Sequence, residues 1–244
     1  MENNIMNTRK VNAKQCKMVA HRGCSGLEKE NTLAAFIAAG NRSYWGVETD
    51  VHRTADGEYV VIHDSETGRV AGDNIVIENT SFEYIRSLRL KDIDGTRTRA
   101  DLRIPTLREY IAICKKYEKN CVLEFKTVYT LEQVAEMVEI IKEEGWLEHV
   151  VFISFAYDNL LNLRKILPGH PAQFLTGEYT DAMVEMIHKD KIDLDIYFSA
   201  LDEEKIKHLH DLGIIVNAWT VDDPEKAQQL IDWGIDYITS NICE

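Results

Sequence analysis

No apolar run in this chain of 244 residues approaches the length needed to cross a bilayer, so the sequence predicts no transmembrane helix. The first residues, MENNIMNTRKVNAKQCK, are polar and lack the apolar core of a secretory leader. The five cysteines (Cys16, Cys24, Cys114, Cys121, Cys243) are odd in number and show no CxxC spacing, which reads as free thiols in a reducing compartment. A cytoplasmic location is the expectation, with a periplasmic or secreted one as the alternative if a leader has been removed. Positive charge is also scarce. Lys and Arg number 28 against 41 Asp and Glu, a formal net charge of -13, and this argues against a nucleic-acid partner gripped through its phosphates. An anionic small-molecule substrate would then need a local positive site, built from a metal or from Arg and Lys set against the global field. There is no GxGxxG turn after the first strand signal, no short-period repeat and no low-complexity tract. Nothing in the chain speaks against a homo-oligomer.

Composition is that of a folded protein, with 45% hydrophobic and 28% charged residues. Apolar β-type runs alternate with helical patterns throughout. The strand candidates are KMVAH (17–21), WGVETDV (45–51), CVLEFK (121–126), HVVFIS (149–154), PAQFLT (171–176), IDLDIYF (192–198), GIIVNAW (213–219) and DYITS (236–240). Helical segments separate them. TLEQVAEMVEIIKEEG opens on Thr130 as N-cap, with Gln133 completing a capping box and Gly145 at the C′ position. NTLAAFIAAG opens on Asn31 or Thr32 and closes on Gly40. Eight strands each followed by a helix, the last excepted, predict an α/β fold, a (β/α)8 barrel, in preference to a doubly wound open sheet. Residues 1–244 are expected to form one domain. The rhythm breaks after strand two, where EYVVIHD (58–64) reads as an extra short strand. A polar, Gly-dotted stretch then runs to about Arg103, with a short helix near Ser81–Leu88, so the segment of about 58–103 is expected to be an insertion. IPTLREYIAICKK (104–116) supplies the helix leading into strand three.

In a barrel enzyme the active site forms at the C-terminal ends of the strands. Polar residues gather there: His21-Arg22-Gly23 after strand one, Glu48 and Asp50 in strand two, Glu124 and Lys126 in strand three, His63-Asp64 after the extra strand, and Trp219 at the end of strand seven. Residues two apart on a strand share a face, so Glu48 and Asp50 point the same way. At about 5 Å and an effective dielectric near 20 they repel by roughly 3 kcal/mol. A third carboxylate, Glu124, adds to the cost, and oxygen-only ligands of this kind favour a hard divalent ion, Mg²⁺ or Ca²⁺. The competing reading pairs the acids with Arg22 and Lys126. His21 and His63 are candidates for proton transfer, because imidazole titrates near working pH. The other histidines lack such company and read as surface or core residues. Arg22 and Lys126 are the local cations an anionic substrate requires, and Trp219 is a candidate pocket wall.

HRGCSGLEKENTLAAF followed by GVETDVHRTADGEYVVIHD resembles the signature of the glycerophosphodiester phosphodiesterases: HRG, ENT, ExD, T-x-DG and HD, in that order and at matching spacing. IPTL, LEFK, AWTVDD and GIDYITS extend the likeness from about residue 17 to 240. The resemblance implies a TIM barrel, a divalent cation, and hydrolysis of glycerophosphodiesters to glycerol 3-phosphate and an alcohol. By position it makes His21 and His63 the acid–base pair and Glu48, Asp50 and Glu124 the metal ligands. Arg22 and Lys126 would hold the phosphate, and Trp219 would be a pocket aromatic. Two positions depart from the pattern: Lys29 stands where a proline commonly precedes ENT, and Ser240 where the family usually has Asp. A lysophospholipid phosphodiesterase would want an apolar lip, which the sequence does not reveal. A glycosidase would leave the histidines and Lys126 without a task, and a non-catalytic phosphodiester-binding barrel would not need a complete set of chemical residues.

Overall fold

A computed structural model describes residues 7–244. Nine strands are found among them: β1 (Lys17–Ala20), β2 (Gly46–Arg53), β3 (Tyr59–Val61), β4 (Asn120–Phe125), β5 (Val150–Ser154), β6 (Ala172–Thr176), β7 (Asp193–Tyr197), β8 (Val216–Trp219) and β9 (Tyr237–Ser240). Eight are parallel, in the order β1-β9-β8-β7-β6-β5-β4-β2, and β1 pairs back onto β2 to close a barrel. The ninth, β3, runs antiparallel on β2. Helices α1 (Leu33–Gly40) and α3 (Leu107–Lys116) to α8 (Pro224–Asp232) follow the strands around the outside, and α2 (Phe82–Ser87) lies between β3 and α3. The expected (β/α)8 barrel is therefore present, with strand limits within a few residues of the sequence reading.

Alternation along each strand sorts the side chains. On β4, Cys121, Leu123 and Phe125 join the large core between sheet and helices, while Val122 belongs to the cluster with Val19, Val151, Ile153 and Leu175. Glu124 and Lys126 share the face of Val122, so the sheet's own period aims the carboxylate and the ammonium into the barrel. Glu48 and Asp50 alternate in the same way with Val47 and Val51, which join the outer core. Residues 60–104 carry a separate apolar cluster that includes Val60, Ile62, Val70, Ile77, Ile85 and Leu102.

Helix ends follow their chemistry. Thr130 accepts from the Gln133 amide and Gln133 reaches back, completing the capping box expected for α4 (Leu131–Glu143), and Gly145 takes the left-handed conformation at φ +66. A second box, Thr106 with Glu109, starts α3, so that helix begins at Leu107 and Ile104-Pro105 stay outside it. Gly40 differs from expectation. It is the last residue of α1 and Asn41 is the C-cap. A Cβ at Gly40 would come within 2.5 Å of the Tyr117 ring. Glycine is required there by close packing, not by a turn. Thr32 caps α1 and leaves Asn31 free for another contact. All five cysteines are free and buried, and burial raises the Cys24 thiol further from ionisation.

Candidate active site

The C-terminal rim is assembled from the turns that follow β1, β2 and β4. After β1 the chain reverses through Arg22 at φ +54 and Gly23 at φ +77. A Cβ on Gly23 would lie 2.7 Å from the backbone of Ala35, so glycine lets α1 close against the turn. The reversal also aims the Arg22 amide at Glu48, whose Oε2 accepts it at 2.7 Å. Asn31, left-handed at φ +53, donates from its side-chain amide to Asp50 Oδ2 at 2.7 Å and accepts from Thr49 Oγ1 at 2.9 Å.

Glu48, Asp50 and Glu124 meet as the sequence predicted. Asp50 pairs in register with Glu124, and one oxygen from each acid lies within 4.8 Å of the others. All three are buried. The cations the sequence marked are also here. Lys126 Nζ is 2.9 Å from Glu124 Oε1 and 3.3 Å from Asp50 Oδ1, and Arg22 Nε is 3.4 Å from Asp50 Oδ2. The pairing of the acids with Arg22 and Lys126 is present, yet three carboxylates outnumber two cations. Burial and then Asp50 push the Glu48 carboxyl well above its usual range, and the same two causes carry Glu124 up to about 8. Burial also works against ionisation of Asp50, but Lys126 and Arg22 outweigh it and hold that acid low. Asp50 Oδ1 receives no hydrogen bond. A buried, all-oxygen donor set that outnumbers the cations beside it fits a hard divalent cation, so the triad could bind a metal ion.

The two histidines face this cluster from different supports. His21 Nδ1 donates to Asn241 Oδ1 at 2.7 Å, leaving Nε2 3.9 Å from Glu48 Oε2. Asn241 in turn donates to Asp222 Oδ2 at 2.6 Å, and Ser240 donates from Oγ to Asp222 Oδ1 at 2.9 Å. The Ser240 departure is thereby explained, since its hydroxyl helps to fix the carboxylate behind Asn241. His63 Nδ1 donates to Asp64 Oδ1 at 2.7 Å. Asp64 is bound by Arg69, Arg69 by Glu30, and Glu30 by Arg22, a chain of alternating charges along the rim. Burial and then Arg22 bring His21 down to about 4, and burial chiefly lowers His63 against the pull of Asp50. His52, read as a residue without company, is buried beneath His63 with Nε2 3.2 Å from the His63 carbonyl.

One pocket joins these groups. Its walls include His21, Arg22, Glu48, His63 and Glu124, and also Phe155, Asp195 and Trp219, around about 420 Å³ of empty volume open to solvent. Trp219 stands in that wall, and its indole Nε1 has no hydrogen-bond partner. An apolar lip of two rings is present: Phe155, 50% exposed, lines the pocket, and Tyr197, 39% exposed, packs against Trp219. Sequence reasoning missed Asn241, Asp222, Asp195 and Phe155. Asp64 and Asn31 had a signal, as neighbours of His63 and members of the ENT run.

Known proteins carry the same architecture. The model of the glycerophosphoryl diester phosphodiesterase family matches residues 21–243. A glycerophosphodiester phosphodiesterase of Caldanaerobacter subterraneus subsp. tengcongensis is 29% identical over 230 residues, 92% of this chain and 93% of that protein. An Oleispira antarctica phosphodiesterase, solved with the product sn-glycerol-3-phosphate, superposes with a TM-score of 0.87 at 27% identity, covering 96% of each chain. The Thermotoga maritima glycerophosphodiester phosphodiesterase gives 0.75 at 28% identity, covering 93% of this chain and 94% of that one. With a family model matched from the first rim histidine almost to the last residue, the chain belongs to the glycerophosphoryl diester phosphodiesterase family.

Proposed function

We propose that this protein hydrolyses small glycerophosphodiesters to glycerol 3-phosphate and an alcohol, with Glu48, Asp50 and Glu124 holding one Mg²⁺ or Ca²⁺ and His21 and His63 exchanging protons. The observation that carries the reading is the pair of imidazoles on one pocket, each anchored through Nδ1 and each left with a free Nε2 beside three buried carboxylates. A divalent cation at the triad would supply charge neutralisation for the phosphoryl oxygens.

The supports divide the roles. The Nδ1 of His21 meets a neutral amide, and burial keeps the ring unprotonated at neutral pH, which suits a general base. The Nδ1 of His63 meets a carboxylate that Arg69 helps to hold down at about 2, against burial. An ionised partner stabilises imidazolium and offsets part of the burial that lowers His63, which suits a general acid. His21 takes the proton of the nucleophile, water or the neighbouring glycerol hydroxyl, as the new P–O bond forms. His63 protonates the leaving alcohol oxygen as the old P–O bond breaks. If the glycerol hydroxyl attacks first, a cyclic phosphate results and water opens it with the two roles reversed. Arg22 and Lys126 orient the phosphate, and Trp219 borders the alcohol.

The reading treats residues 1–244 as one catalytic domain with the segment of about 58–103 inserted. No helix among the described residues is long and apolar enough to cross a membrane. The deciding assay is turnover of glycerophosphocholine and glycerophosphoethanolamine with added Mg²⁺ or Ca²⁺. Phosphodiester cleavage that stops on chelation and returns with the metal is expected. Binding without cleavage at every cation concentration would leave only a phosphodiester-binding barrel.

A further inference from the structure

His21 can act as a base at Nε2 only while its neutral ring carries the proton on Nδ1, and Asn241 alone does not secure that. A side-chain amide can turn over and present either its oxygen or its NH₂ group. With the NH₂ group toward His21, Nδ1 would accept, Nε2 would hold the proton, and the ring could take none from a nucleophile. Ser25 does not choose between the two orientations. Its Oγ lies 2.6 Å from Asn241 Oδ1 and 2.8 Å from the His21 carbonyl. It can donate to the first or, donating to the second, accept from a reversed amide.

The choice is made one residue further out. Asp222 Oδ2 accepts from Asn241 Nδ2 at 2.6 Å, and Asp222 Oδ1 accepts from the Asn241 backbone amide at 2.8 Å and from Ser240 Oγ at 2.9 Å. The Ser240 oxygen itself accepts from the Ile242 and Cys243 amides at 3.2 and 2.9 Å, which leaves its proton for Asp222. Three donors and no acceptor meet the Asp222 carboxyl, the company of an ionised acid, and an ionised acid only accepts. A reversed Asn241 would set two acceptor oxygens 2.6 Å apart with no proton between them. Each hydrogen bond from the Ile242 and Cys243 amides to the imidazole thus has one allowed direction.

We propose that Asp222 is a positioning residue of the reaction, which dictates the orientation of the Asn241 amide and so holds neutral His21 in its Nδ1–H tautomer. This rests on the reading of His21 as general base given above. In Asp222→Asn the amide oxygen belongs at the Oδ1 position, where two donors converge, and the new NH₂ group turns toward Asn241. Asn241 then reverses and the His21 proton moves to Nε2. The near-isosteric change should lower kcat on the order of 10²–10⁴-fold, as loss of the base would, with KM little changed. It should cost more than Asn241→Ala, which lies nearer the ring but only frees it. Combining the two substitutions should restore activity to the Asn241→Ala level, since no amide remains to transmit the reversal. The direct readout is ¹⁵N NMR of the imidazoles in the Mg²⁺-loaded enzyme at pH 7, where burial keeps His21 neutral. A protonated Nδ1 and a bare Nε2 are expected, exchanged in Asp222→Asn. A protonated Nε2 in the unsubstituted enzyme, an unchanged pattern in Asp222→Asn, or a double variant slower than both single ones overturns the proposal. Absence of turnover by the unsubstituted enzyme overturns the phosphodiesterase reading alone, because the spectrum decides the tautomer by itself.

Discussion

His21 and Asn241 are 220 residues apart in sequence and 2.7 Å apart in space, joined by a hydrogen bond that fixes which imidazole nitrogen faces the carboxylates. Asn241→Ala removes the acceptor. An orienting partner of this kind is worth roughly 10- to 100-fold in activity, and the loss is expected in kcat with KM little changed. The Asn241 contact also raises the His21 pKa against burial, so the acid limb of the pH profile should move to lower pH. Steady-state kinetics from pH 3.5 to 9 would check both, and a fall in KM alone would contradict the orienting role.

The two histidines should govern opposite limbs. Activity is expected to fall toward acid as His21 takes up a proton, with its pKa lowered to about 4, and to fall again as pH rises and His63, which burial lowers from the usual imidazole value, loses one, so the optimum lies on the acid side of neutrality. His21→Ala and His63→Ala should each cost on the order of 10²–10⁴-fold, and each should flatten its own limb. Unchanged activity in both variants would sink the assignment.

Cation binding should be linked to pH through Glu124. The folded protein holds this carboxyl at about 8, well above its unfolded value, so the protonated acid contributes stability at low pH that is lost as pH rises through about 8. A divalent cation competes with that proton, and its stabilising effect should therefore grow as pH rises from 6 to 8.5. Differential scanning fluorimetry with and without Mg²⁺ or Ca²⁺ measures it. Glu48→Gln and Asp50→Asn should abolish the thermal shift, and Glu124→Gln should also remove its pH dependence. A shift that stays the same in Glu124→Gln would place the cation elsewhere.

Gly40→Ala tests the close packing of α1. The new methyl would meet the Tyr117 ring at 2.5 Å, and such overpacking costs about 1–3 kcal/mol. In a chain of this size that is a fall in Tm of about 2–4 °C per kcal/mol. Tyr117→Ala in the same background should relieve part of the loss, whereas additive losses would show that the ring is not the obstacle.

The barrel was legible because its signals are local. The strand runs, the Thr130–Gln133 box and the facing of Glu48 with Asp50 all follow from spacing within a few residues. The gathering of polar residues at strand ends was legible for the same reason. The partners of those groups were not. Asn241 reaches His21 because β9 pairs with β1, a contact between the two ends of the chain. In IDLDIYF the two acids look alike, yet Asp193 accepts from the Ile215 amide at the strand's start while Asp195 sits in the active-site pocket. The exposure of Phe155 depends on a ring orientation that no periodicity encodes. Gly40 resembles a helix stop until the neighbouring Tyr117 is seen.

His63 follows β3 directly, and its neighbour Ile62 is anchored in the small apolar cluster of residues 60–104, whereas His21 is rooted in the barrel wall beside Val19 and Ala20. His63 therefore leans on the smaller cluster through Val60 and Ile62 as well as on the main core through Tyr59 and Val61, whereas His21 leans on the barrel alone. Transient loosening of the smaller cluster would withdraw the proton donor while leaving the three carboxylates assembled, so turnover can fail at a temperature where the cation is still held. Hydrogen exchange should register this as earlier loss of protection at Val60 and Ile62 than at Val122 and Leu123.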